Sequence, residues 1–210
     1  MIQAIIFDMD GVLIDAKEWH YEALNKALAL FGFEISRYDH LTTFDGLPTS
    51  KKLNMLSKTS NLPHELHGFI NTLKQNYTMD MVFEKCRPTF IHEYALSTLK
   101  AQGYKLGVAS NSIRATVQTM MQKADLERYL DTMLSNEDVK EPKPSPDIYI
   151  KAMQQLQLEP SQCLIVEDNE HGIQAARASG AHVLVVSDVS DVNYNNIMNA
   201  IKRAEGKSND

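Results

Sequence analysis

The sequence predicts an α/β fold, a parallel sheet covered by helices on both faces, with an all-helical block inserted after the first strand. Three observations predict it. From residue 87 onward, short apolar runs alternate with helical patterns, the order expected of strand, crossover helix and strand. The opening apolar run, Ile2 to Phe7, is followed by roughly residues 16 to 83 with no strand pattern. The polar clusters Asp8-Met9-Asp10, Ser110-Asn111-Ser112 and Glu167-Asp168-Asn169 each stand where an apolar run stops. In open parallel sheets, ligands bind outside the carboxyl ends of the strands.

The first strand, Ile2-Gln3-Ala4-Ile5-Ile6-Phe7, ends in Asp8-Met9-Asp10-Gly11-Val12. Alternation along a strand projects positions two apart to the same side, so Asp8 and Asp10 share one strand end. Like charges crowded together cost free energy unless a cation or a shared proton relieves them, which suggests a hard divalent metal, most simply Mg²⁺. An Asx turn is the plainer alternative.

Lys17 to Leu30 carries Ala23, Leu24, Ala27, Leu28 and Phe31 at helical spacing, with Gly32 beyond its end. Gly46 and Pro48 punctuate a loop before a second helical run, and Asn61-Leu62-Pro63 opens a third. This block, residues 16–83, reads as a small second domain, leaving 1–15 and 84–210 for the sheet domain. A helix through Leu99 follows Arg87-Pro88, then a strand from Gly103 to Ala109 and a helix beginning near Ile113. A short strand over Thr132 to Ser135 precedes the Pro-rich loop Lys140 to Asp147. Ile148, Ala152, Met153 and Leu156 form one face of the next helix. The strand Cys163 to Val166 stops at Glu167-Asp168-Asn169; a helix through Ala178, a strand from His182 to Val186 and a terminal helix complete the pattern. Residues 206–210 are expected to fray.

The 210 residues, 43% hydrophobic and 23% charged, suffice for one large domain or a domain with an insert. A formal charge of −6 and a pI near 5.6, with no basic tract, argue against nucleic acid or an anionic membrane as partner. Cys86 and Cys163 form no zinc or redox spacing and read as reduced, partly buried thiols. With no leader pattern and no apolar window of spanning length, a cytoplasmic location is expected. A monomer or weak dimer is expected as well.

Each cluster has its chemistry and its plainer reading. Ser110 and Asn111 supply a hydroxyl and amides at a helix N-terminus, which suits a phosphate, although Ser110 or Ser112 could simply cap the helix. Lys143 supplies positive charge or is a solvated loop lysine. Glu167 and Asp168 complete an oxygen shell for Mg²⁺ or cap the next helix.

The ordered set Asp8-Met9-Asp10-Gly11-Val12, Ser110-Asn111-Ser112, Lys143-Pro144-Ser145-Pro146-Asp147 and Glu167-Asp168-Asn169 resembles the haloacid dehalogenase superfamily. The similarity covers almost the whole chain and is closest to the branch with a small helical cap, which contains β-phosphoglucomutases and many small-molecule phosphatases. The resemblance implies a Rossmann-like core with Mg²⁺ at its carboxyl edge. Asp8 then corresponds to the nucleophile that forms an aspartyl phosphate. Asp10 corresponds to the acid/base, its backbone carbonyl meeting the metal. Ser110 and the Asn111 amide correspond to the phosphate-binding positions, and Lys143 to the lysine bridging nucleophile and phosphate. Asp168 corresponds to a metal ligand, with Glu167 beside it. Lys140 competes with Lys143, but the Lys-Pro-x-Pro-Asp pattern favours Lys143.

Within the cap, His20 falls where β-phosphoglucomutases carry a histidine, and phosphatases of the branch carry one there too. The mutases place an arginine shortly after the cap-loop glycine; here Gly46 is followed by Thr49, and no arginine lies between Arg37 and Arg87. Bidentate capture of a second phosphate is therefore hard to arrange, although Lys51, Lys52 or Lys74 could act as point charges. Arg114 could reach a substrate anion from the core side. The expectation is a Mg²⁺-dependent phosphatase of a small phosphorylated metabolite, a sugar or polyol phosphate. The alternatives are a phosphomutase and, more remotely, a non-catalytic binding protein on the same fold.

Overall fold

The computed structural model describes residues 1–206. Five parallel strands, β1 (Ala4–Phe7), β2 (Lys105–Ala109), β3 (Thr132–Leu134), β4 (Cys163–Glu167) and β5 (His182–Val185), lie in the order β3-β2-β1-β4-β5. β1 occupies the centre, with Ala4 opposite Lys105 on one side and Cys163 on the other. Every residue of β1 and β4 is buried. A parallel strand covered on both faces needs apolar side chains in both directions, so these strands are continuous apolar runs rather than alternating ones.

Helices α1 (Lys17–Ala29), α2 (Arg37–Asp39), α3 (Thr49–Ser60) and α4 (His67–Lys85) belong to the insert. Helices α5 (Phe90–Ala101), α6 (Arg114–Lys123), α7 (Asp147–Leu156), α8 (Glu170–Ala178) and α9 (Tyr194–Ala204) belong to the sheet unit. Compact packing divides the chain into Met1–Asp15 with Arg87–Asp210, and Ala16–Cys86. The second junction falls at Cys86 rather than at residue 83, because α4 continues to Lys85.

In the sheet unit, Ala4 and Ile6 of β1 pack with Cys163 and Ile165 of β4 and with Ile148, Tyr149, Ala152 and Met153 of α7. The insert has a core of its own, Leu24, Ala27, Leu28, Ile35, Phe44, Leu53, Leu56, Leu62 and Ile70. The expected loop after Asp39 begins instead with a π-helical turn, His40–Phe44, which buries His40 and Phe44. Both cysteines are fully buried, and burial pushes the Cys163 thiol up to about 11. Among the described residues, no helix is long and apolar enough to cross a membrane. The fraying expected at the C-terminus concerns, beyond Gly206, residues outside the described ones.

Candidate active site

The turn after β1 is built around one carbonyl. The Met9 oxygen accepts from the N–H groups of Val12, Leu13 and Ile14 at 3.3, 3.0 and 2.9 Å, while the Gly11 N–H donates back to Ile14 O at 2.7 Å. Gly11 sits at φ +87°, a conformation that a side chain strains. This tight turn leaves Asp8 at the strand end, its N–H bonded to Val166 O at 3.0 Å, with only 5% of its surface exposed.

Lys143 comes from the loop before α7 and is 2% exposed. Its Nζ donates to Asp8 Oδ1 at 2.6 Å and to Glu167 Oε1 at 2.7 Å, so one buried ammonium joins the ends of β1 and β4. Burial draws the Lys143 pKa down, but Asp8 and Glu167 outweigh it and hold it above the ordinary lysine value. Asp8 moves the other way from a normal ion-pair partner. Burial raises its pKa well above the usual carboxylate range; Lys143 lowers it, and Glu167, Asp168 and Asp10 raise it again.

Asp8, Glu167 and Asp168 each present an oxygen within 4.8 Å of the others. A set of carboxylate oxygens crowded to this degree, two of the three residues buried and Asp168 half-buried, has the donor chemistry and the excess negative charge that a hard divalent cation requires. The site therefore fits the group that the sequence leads one to expect. Asp10 contributes no side-chain oxygen to this set; its Oδ2 accepts from Ser112 Oγ at 3.0 Å.

The capping alternatives meet different residues. The N-cap of α8 is Asn169, whose Oδ1 accepts from Gly172 N–H at 3.0 Å, so neither Glu167 nor Asp168 caps it. The N-cap of α6 is Ile113, without a side-chain bond, and the Arg114 N–H is taken by Glu137 Oε2 at 2.7 Å. Ser110 is buried at 1% and its Oγ accepts from Ser112 N–H at 3.0 Å. Asn111 Oδ1 accepts from Lys143 N–H at 3.0 Å and its Nδ2 donates to Lys143 O at 3.4 Å, so the Asn111 amide locates the lysine backbone.

Asp8, Lys143, Glu167 and Asp168 thus meet directly; Asn111 is bonded to the Lys143 backbone, and Asp10 and Ser110 are each bonded to Ser112. Arg114 does not join them: its Nη2 pairs with Asp138 Oδ1 at 2.8 Å on an exposed surface. In the helical unit, His20 Nδ1 accepts from Lys74 Nζ at 3.1 Å. Gly46 and Thr49 flank Pro48 at the start of α3, and Lys17 pairs with Asp45 beside Gly46 at 3.8 Å.

Three residues that sequence reasoning passed over support the group. Ser112, read there only as a possible cap, holds Asp10. Tyr149, one of the largest fully buried side chains, donates its hydroxyl to Glu167 Oε1 at 2.5 Å. Gly172 lies so close to Glu167 that a Cβ would come within 1.9 Å of Oε1. A phenol on an otherwise apolar helix face, six positions after the lysine, and a glycine inside a first helical turn were the available signals.

Fold and site together describe an α/β protein that gathers an aspartate, a lysine and two further carboxylates at the carboxyl edge of its sheet. The family identity follows from the sequence comparison: residues 5–186 match the haloacid dehalogenase-like hydrolases, and the chain belongs to that family. A phosphorylated carbohydrates phosphatase from Thermotoga maritima is 28% identical over 182 residues, 85% of this chain and 82% of that one. The fructose-1-phosphate phosphatase YqaB of Escherichia coli is 27% identical over 178 residues, covering 84% and 92%. The crystal structure of a β-phosphoglucomutase from Clostridium difficile superposes with a TM-score of 0.85 at 22% identity, covering 99% of this chain and all (100%) of that one, and shows the shared fold.

Proposed function

We propose that this protein is a Mg²⁺-dependent phosphoric monoester hydrolase that cleaves a small phosphorylated metabolite, a sugar or polyol phosphate, through an aspartyl-phosphate intermediate. The observation that carries the reading is the buried Lys143 ammonium shared by Asp8 and Glu167, with Asp168 within reach of both carboxylates. Phosphoryl transfer asks a protein chiefly for positioning and charge neutralisation. The names of the relatives, phosphorylated carbohydrates phosphatase and fructose-1-phosphate phosphatase, support the substrate class.

In this reading Asp8 attacks phosphorus, forming an oxygen–phosphorus bond as the bond to the leaving alcohol breaks. Asp10, oriented by Ser112, gives that alcohol its proton and then removes one from the water that cleaves the aspartyl phosphate. Lys143 binds a phosphoryl oxygen alongside Asp8, and the Ser110 hydroxyl and the Asn111 backbone N–H hold the remaining oxygens. Asp8, the Asp10 carbonyl and Asp168, with Glu167 beside them, would hold Mg²⁺, which supplies positive charge against the phosphoryl group and the crowded carboxylates. Asp8 needs that charge, since burial and the neighbouring carboxylates favour its neutral form and only the ionised carboxylate attacks.

His20, Gly46, Thr49 and Arg114 are proposed as residues that select the substrate. The test is a panel of phosphate esters assayed for inorganic phosphate release with Mg²⁺, using wild type and Asp8→Asn. Hydrolysis of sugar or polyol phosphates, reduced at least about 1,000-fold in the variant, is expected for loss of a nucleophile. If no ester is hydrolysed while glucose 1-phosphate is isomerised in the presence of a bisphosphate primer, the enzyme is a mutase.

A further inference from the structure

Tyr149 lies deep in the core of the sheet unit, where a phenylalanine would satisfy packing equally well. Its two polar relationships both lead to the reaction centre. The hydroxyl donates to Glu167 Oε1 at 2.5 Å, the same oxygen that accepts from Lys143 at 2.7 Å. The face of its ring lies 4.6 Å from Lys143 Nζ, close enough for the ring quadrupole to attract the ammonium. The segment that delivers Lys143 from its loop therefore returns, within the first turn of α7, to place a phenol against that lysine and its second carboxylate partner.

We propose that Tyr149 is a positioning residue for phosphoryl transfer: it fixes Glu167 and shares the charge of that carboxylate, so that Lys143 remains divided between Glu167 and Asp8. A carboxylate offers about four acceptor directions. Glu167 receives four donors, Lys143 and Tyr149 on Oε1, and the Asp168 N–H and Asn169 Nδ2 on Oε2 at 3.1 and 3.3 Å. With the hydroxyl gone, Oε1 has one donor in place of two, and its whole attraction falls on Lys143. The ammonium then swings toward Glu167 and away from Asp8. Gly172 leaves the room in which the Glu167 carboxylate sits, since any Cβ there would occupy that space. Movement of Lys143 toward Glu167 is what Tyr149 restrains.

The catalytic part of this inference rests on the phosphatase reading; the effect on Lys143 does not. Tyr149→Phe keeps the ring and removes only the hydroxyl, while Tyr149→Leu removes both. For an active wild type, kcat is expected to fall about tenfold in Tyr149→Phe and several-fold further in Tyr149→Leu, with KM within about twofold, as for a group acting through a neighbour in the transition state. A kcat for Tyr149→Phe within about twofold of wild type overturns the proposal, because a packing role predicts that result. The second measurement needs no turnover. In protein labelled with ¹⁵N at lysine Nζ, the Lys143 ammonium resonance, assigned by its loss in Lys143→Met, is expected to shift in Tyr149→Phe. An unmoved resonance also overturns the proposal. Should the wild type release phosphate from no ester, the phosphatase reading fails on its own, and the resonance still decides whether Tyr149 positions Lys143.

Discussion

The two units treat their buried polar groups differently. In the sheet unit, Asp8, Lys143, Glu167 and Tyr149 form a chain of short contacts in which each charge faces an opposite charge or a donor. In the helical unit, Lys52 and Lys74 are buried, and His40 Nε2, Gln75 Oε1 and Thr78 Oγ1 have no hydrogen-bond partner; in the sheet unit Thr116 Oγ1, away from that chain of contacts, has none either. Buried polar groups are normally satisfied, and a fully satisfied network is rigid. The difference teaches that the chain of contacts around Lys143 is held in one geometry, while unpaired buried polar atoms lie away from it. His40 shows the consequence electrostatically: burial first, and the Lys52 charge second, lower its pKa, so it is disposed to stay neutral.

The largest break in this contrast comes from Lys143→Met. It removes the charge on which the sheet-unit network turns and leaves buried carboxylates unpaired, an expected cost of about 3–5 kcal/mol in chemical denaturation, with loss of phosphate release. Gly172→Ala sharpens the same point without touching a charge. The new Cβ would meet Glu167 Oε1 at 1.9 Å, and overpacking of this kind costs about 1–3 kcal/mol, measurable as a lower denaturation midpoint.

His92 tests a buried polar group of the sheet unit outside the site. Its Nε2–H donates to Val189 O at 2.9 Å and its Nδ1 accepts from Thr89 Oγ1 at 2.9 Å, a pairing that uses the neutral ring. Burial lowers its pKa, the bond to Val189 opposing it. A histidine depressed in the folded state binds fewer protons there than when unfolded, so its contribution is full above about pH 6.5 and declines as pH falls toward the folded value. Thermal melts from pH 8 to 5 should show that decline, and His92→Asn should flatten it while costing about 1 kcal/mol at neutral pH. The smallest effect belongs to Arg114→Ala. Its exposed pair with Asp138 is worth at most about 1 kcal/mol, and the KM for a hydrolysed ester reads its proposed substrate contact.

What was legible in the sequence follows the periodicity of strands. Asp8, Asp10, Ser110 and Glu167 stand at points where apolar runs end, and a chain that alternates strand and helix brings such ends to one edge of the sheet. Supporting residues were harder to read because their meaning is set by neighbours distant in sequence. Tyr149 is one more large side chain on the apolar face of α7 until Glu167 is beside it. Ser112 could cap a helix as well as hold an aspartate, and only the placement of Ile113 at the N-cap separates the two. The π-helical turn at His40–Phe44 was not legible, since its residues carry no turn signal and the segment is shaped by the burial of both of its ends.

The contact between Lys143 and Asp8 spans 135 positions of the chain, and the one between Lys143 and Glu167 spans 24. During synthesis, Asp8 emerges early and waits through the whole helical insert and half of the sheet unit for its partners. Contacts of such separation form late, after loop closure has been met by other pairings. Until β4 has docked beside β1, the aspartate stands without lysine or companion carboxylates. A residue made well before its partners is therefore among the last to acquire a chemical role, and recovery of activity on refolding would report the joining of those two strands.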